Sequence, residues 1–118
     1  MIAVTVKRDS SGIREIEITG HANAAAYGSD IVCAAVSAIS IGILNGIEPL
    51  LGLLPDVEQA PSGGGFLRWR LGHPDDDGLH EKQQLLAEGM VIALISVAQQ
   101  YGQYVSVHDA KWQGGASQ

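Results

Sequence analysis

Residues 2–8 alternate in character: Ile2, Val4 and Val6 share one phase, and Ala3, Thr5 and Lys7 share the other. Alternation with period two marks a strand with one buried and one wet face. Asp9-Ser10-Ser11-Gly12 supplies turn chemistry. Residues 13–19 alternate again, with Ile13, Ile16 and Ile18 apolar. The three-residue step from Ile13 to Ile16 breaks the period at Arg14-Glu15 and predicts a bulge. Together the two runs predict a β-hairpin.

The pattern then changes. Gly20 to Ser29 reads as a loop, and Ser29-Asp30 as the cap of a helix running from Asp30 to about Gly46. Ile31, Val32, Ala34, Ala35, Val36, Ala38, Ile39, Ile41, Ile43 and Leu44 leave that helix without a wet face. Such a helix is buried on several sides, here between the sheet and either a second helix or a second subunit. Pro49 ends or kinks it. Residues 56–60 and 66–71 predict a second hairpin across Pro61-Ser62-Gly63-Gly64-Gly65, with Trp69 in the core. Asp75-Asp76-Asp77-Gly78 opens a second helix over about Leu79–Gly102. Its apolar face is predicted to hold Leu85, Leu86, Met90, Ala93, Val97 and Tyr101, with Glu81, Glu88, Gln99 and Gln100 wet. Tyr104 to His108 is a last strand. The order β-β-α-β-β-α-β predicts an α+β domain in which a mainly antiparallel sheet packs against two helices. One domain spans 1–112, and 113–118 form a disordered tail.

Composition narrows the function. With 46% hydrophobic and 17% charged residues in 118, the chain has material for one core. The net charge is −6 and the seven Lys and Arg are scattered, so no nucleic-acid contact is expected, whereas a cationic protein or peptide suits the charge. One cysteine rules out an intramolecular disulfide. The N-terminus reads as a strand and shows no secretory pattern. The apolar run Ile31–Leu44 falls short of the ~20 residues a membrane span needs. The expectation is a soluble, cytoplasmic protein. Asp75-Asp76-Asp77 beside His73 and His80 lacks the alternating ligands of a calcium loop and reads as a turn before a helix. His108 is expected to be a surface or structural histidine.

The chemistry concentrates in Gly20-His21-Ala22, Gly28 and Asp30-Ile31-Val32-Cys33-Ala34-Ala35-Val36-Ser37-Ala38. With Asp30 as N-cap, Cys33 falls in the first helical turn, where unpaired N–H groups and the positive end of the macrodipole favour a thiolate. A strand-end His21 can face it, take the thiol proton and later protonate a leaving amine. The free N–H groups of the helix start can receive a developing oxyanion. Ser37 lies one turn beyond Cys33 on the same face. The loop between His21 and Ser29 is small and glycine-containing, which suits opening and closing over an extended peptide. The opposing reading of Cys33 is a small buried hydrophobe. One Cys with one His is too few for zinc.

That same segment resembles the signature of the ribosomal-processing cysteine protease family, Prp. The resemblance implies a Cys-His dyad, here Cys33 and His21, with no metal or other cofactor. It implies supporting roles for the matching Gly20, Asp30 and Ser37, and Gly28 belongs to the same motif. It also implies a homodimer that removes the N-terminal extension of a large-subunit ribosomal protein, the one numbered twenty-seven, during ribosome maturation. Two other readings stand beside it: a non-catalytic dimeric ribosome-assembly binding module, and a thiol redox sensor, which lacks a resolving cysteine.

Overall fold

The computed structural model describes residues 1–21, 26–60 and 65–112, with the backbone alone for 26–30. The strands are β1 (Ile2–Asp9), β2 (Gly12–Thr19), β3 (Asp56–Gln59), β4 (Phe66–Arg70) and β5 (Val105–His108). The helices are α1 (Ala26–Leu51), between β2 and β3, and α2 (Asp77–Gln100), between β4 and β5. One sheet holds all five strands in the order β3-β4-β2-β1-β5. Its pairings are antiparallel except β1 with β5, which is parallel. This is the α+β order that the sequence predicts. The expected tail, 113–118, lies outside the described residues.

Register explains the core. Val4 pairs with Ile18 and Val6 with Ile16, Ile16 and Ile18 pair with Trp69 and Leu67, and Ile2 and Val4 pair with Val105 and Val107. All of these are buried, so one phase of four strands forms one apolar face. The other phase carries charge. Lys7 pairs with Glu15, and Arg68 stands between Glu17 and Glu58, with which it makes ion pairs of 2.7 and 3.1 Å. The predicted bulge is present: Lys7 opposes Glu15 while Arg8 opposes Ile13, so Arg14 is the extra residue. The extra residue returns Ile13 to the core phase, and Ile13 is fully buried.

α2 is capped by Asp76, whose carboxylate accepts from the Leu79 N–H at 2.9 Å. Its buried face differs from the expected one. Ala87, Met90, Val91 and Leu94 form the stripe, whereas Leu85 is 72% exposed. Gln83 is buried instead, and its amide donates to the Gly72 carbonyl at 2.9 Å.

Nor is Glu88 wet. Arg8 shares the phase of Val4 and Val6, so its guanidinium turns to the helix side and holds Glu88 and Asp109 together. It donates to Glu88 at 2.7 and 2.8 Å, and to Asp109 at 2.7 and 2.9 Å. Asp109 is buried. Arg8 hydrogen bonds lower the Glu88 carboxyl to about 2 against the opposing effect of burial, with Trp112 adding a further bond. Burial pushes the Asp109 carboxyl up, but the Arg8 side chain and the Lys111 backbone N–H outweigh it and leave it below its ordinary value.

α1 is longer than predicted and less enclosed. It starts at Ala26 rather than after a cap at Asp30, and it passes through Pro49 to Leu51. Its core stripe is Val32, Val36, Ser40, Leu44 and Ile47, with the Ser40 hydroxyl donating to the Val36 carbonyl at 2.8 Å. The opposite side stands open: Ile31 is 57% and Ile41 38% exposed, and Ala34 and Ala38 are exposed beside them. Of the two expected covers, the second helix leaves this side bare. The stretch Ile31–Leu51 is 21 residues long with a mean hydropathy of 1.8, enough by length and composition to cross a membrane and longer than the sequence run suggests. In this fold its core stripe packs against the buried face of the sheet.

Candidate active site

β2 ends at Thr19, which pairs with Phe66 at the start of β4. The chain leaves the sheet there through Gly20, whose φ of +89° favours glycine. A Cβ on Gly20 would also run into the Met1 carbonyl oxygen. The Gly20 N–H donates to the Gly65 carbonyl at 2.8 Å, which ties the end of β2 to the entry of β4. His21 follows and is exposed at this sheet edge.

Cys33 reaches the same edge from α1. It is half-buried and packs against the core cluster. His21 and Cys33 line one cleft of about 290 Å³, together with Gly20, Ser37, Ser40, Gln59 and Gly65. Its apolar wall is built by Ile2, Ile18, Val36, Ile41, Phe66 and Leu67. Thus the structure brings together His21, Cys33, Gly20 and Ser37 from the expected set. Gly28 and Asp30 fall within α1, inside its first two turns, and their side chains lie outside the described residues. The expected loop over 20–29 is shorter than predicted because α1 takes its last residues from 26 onward. Residues 22–25, on which a closing loop would depend, lie outside the described residues.

The earlier helix start changes the electrostatics. Cys33 is the eighth residue of α1, about 10 Å along the axis from its beginning. The macrodipole effect fades within the first turn. An interior helical N–H is already bonded to the carbonyl four residues back. The first-turn amides therefore do not serve Cys33 as the sequence suggests. Among the described residues, the cleft lining includes the Ser37 hydroxyl and the Gln59 side-chain amide, both able to donate a hydrogen bond to an anion. The imidazole of His21, on the same cleft, is a group that can accept a proton.

Gln59 and Gly65 are among the cleft residues that were not legible as site residues. Gln59 reads as the end of an ordinary strand, and Gly65 as turn chemistry. Both join the site because β4 lies between β3 and β2. Strand order is the signal that would have found them, since Thr19 opposite Phe66 sets Gly20 beside Gly65.

Known proteins resemble the chain over most of its length. The family model described as "Cysteine protease Prp" matches residues 1–106. A protein of Bacillus subtilis (strain 168) named "Ribosomal processing cysteine protease Prp" is 37% identical over 102 residues, covering 86% of this chain and 90% of that one. Two solved structures of a ribosomal processing protease Prp from S. aureus share the fold. One holds a covalently linked product peptide (TM-score 0.78, 28% identity), the other a substrate peptide (TM-score 0.77, 27% identity). Each aligns over 92% of this chain and 98% of that chain.

Proposed function

The chain belongs to the Prp family of cysteine proteases, and from that premise we propose that it removes the N-terminal extension of a large-subunit ribosomal protein, the one numbered twenty-seven, with Cys33 as nucleophile and His21 as general base and acid. The observation that carries this reading is that the chain's one cysteine and a strand-end histidine line a single cleft. The ribosomal-processing name of the B. subtilis relative and the covalent product peptide on the S. aureus relative support it.

In this mechanism His21 takes the Cys33 proton, and the thiolate attacks the carbonyl carbon of the scissile peptide bond. A carbon–sulfur bond forms, and the carbonyl electrons move to oxygen. Ser37 and Gln59, which line the same cleft, are the side-chain donors assigned to that charge in this mechanism. The electrons return, the carbon–nitrogen bond breaks, and the imidazolium protonates the leaving amine. A thioester remains on Cys33. Water then attacks it as His21 removes the water's proton, the carbon–sulfur bond breaks, and the proton returns to the sulfur. The acid product leaves and the resting pair is restored. A net charge of −6 suits a cationic ribosomal substrate, and the reading goes with a cytoplasmic setting.

Incubation with a peptide copying the N-terminus of that ribosomal protein, followed by mass spectrometry, tests the reading. Two fragments from one internal bond are expected. Binding without cleavage would favour the non-catalytic assembly module instead. The open side of α1, with Ile31, Ala34, Ala38 and Ile41, supports self-association as a homodimer. Sedimentation equilibrium should then give twice the 12.4 kDa chain mass, and a monomer mass at micromolar concentration would count against it.

A further inference from the structure

We propose that Gly65 is a positioning residue whose bare backbone seats the His21 imidazole. The proposal rests on the reading of His21 as the base. A Cβ on Gly65 would lie 2.7 Å from His21 Nε2, 3.2 Å from Cε1 and 3.3 Å from Cδ2. The ring thus occupies the space that any side chain at 65 needs. The backbone at this point is held on two further counts. Its φ of +86° lies in the left-handed region, and its carbonyl accepts the Gly20 N–H at 2.8 Å, one residue before the histidine. Gly20 and Gly65 therefore form a bracket. One fixes where the chain carrying His21 leaves β2, and the other is the surface on which the ring rests. A hairpin connection does not by itself need that contact. Filling the space at 65 moves the imidazole relative to Cys33, and a misplacement of ~1 Å at a catalytic group can cost ~10²-fold in rate.

The test compares Gly65→Ala, Gly52→Ala, His21→Ala and the double variant His21→Ala/Gly65→Ala. Gly52 is a matched control, because its φ is +74° and a Cβ there meets nothing within 4 Å. It carries the backbone strain without a collision. Gly65→Ala should lower kcat by about 10²-fold with KM within about twofold, and it should alter the pH profile of kcat/KM. Gly52→Ala should lose some thermal stability and keep its activity. In the His21→Ala background the ring is gone, so the Tm penalty of Gly65→Ala should shrink to that of Gly52→Ala. This arm still reads if Gly65→Ala alone folds poorly. Gly65→Ala with unchanged kcat and pH profile would overturn the proposal, as would an equal Tm penalty in both backgrounds. His21→Ala with full activity would overturn the base assignment itself, a result distinct from either of those.

Discussion

Cys33→Ala should leave a folded protein in which peptide cleavage is slower by about 10⁴–10⁶-fold. The size follows from what is lost. Without the sulfur no covalent intermediate forms, and His21 has only water to activate. The apolar wall of the cleft, Ser37 and Gln59 remain, so peptide affinity should stay within about twofold of the unmodified protein. The fold should persist because alanine keeps the Cβ, has the best helix propensity, and sits at a half-buried position of α1 already flanked by Ala34 and Ala35. Cleavage by the variant at the unmodified rate, read by mass spectrometry of the peptide products, would remove Cys33 from the chemistry.

The second large effect is on stability. Arg8→Ala should lower the unfolding free energy by about 3–5 kcal/mol, because it leaves the buried Asp109 carboxylate without its cation. Arg8 also joins β1 to α2 through Glu88, so three segments lose a common tie. Arg8→Lys should recover only part of the loss, since an ammonium cannot make the paired bonds that the planar guanidinium makes to both carboxylates. The same cluster gives stability a pH dependence of definite sign. Glu88 and Asp109 titrate below their ordinary values in the folded chain. The stabilisation is therefore fully present above the unfolded carboxylate values, near pH 5, and is lost as the pH falls toward the folded value of about 2 for Glu88. Urea unfolding at pH 7, 5 and 3 should show a falling midpoint, with a shallower fall in Arg8→Ala. A variant with the same midpoint and the same pH slope would show that the cluster does not stabilise the fold.

How far the sequence carried these conclusions depends on the range of the interaction concerned. The first hairpin was legible because alternation and the turn at Asp9-Ser10-Ser11-Gly12 are local, and even the bulge at Arg14 left its trace in the Ile13 to Ile16 spacing. The start of α1 was misplaced because Gly28, Ser29 and Asp30 look like a breaker and a cap. A cap is worth only ~1 kcal/mol, and the helix continues through those residues to Ala26. The face of α2 was misjudged for a longer-range reason. Gln83 is drawn inside by the Gly72 carbonyl and Glu88 by Arg8, eighty residues away, and the stripe rotates accordingly, leaving Leu85 outside. The site divides in the same way. His21 and Cys33 lie twelve residues apart in one motif, and the structure puts them on one cleft. Gly65 and Gln59 enter through strand order, which no local pattern encodes. The helix-terminus argument for Cys33 failed with the helix start on which it depended, and the proposed activation rests on the His21 imidazole.

The dependence of the sulfur on that imidazole is open to direct measurement. Iodoacetamide alkylation of Cys33 can be followed from neutral to alkaline pH in the unmodified protein and in His21→Ala. Near pH 7 the unmodified protein should react on the order of tenfold faster or more, and the two rates should converge in alkali, where a thiol ionises without help. Equal rates at neutral pH, with both proteins folded, would contradict a nucleophile activated by His21.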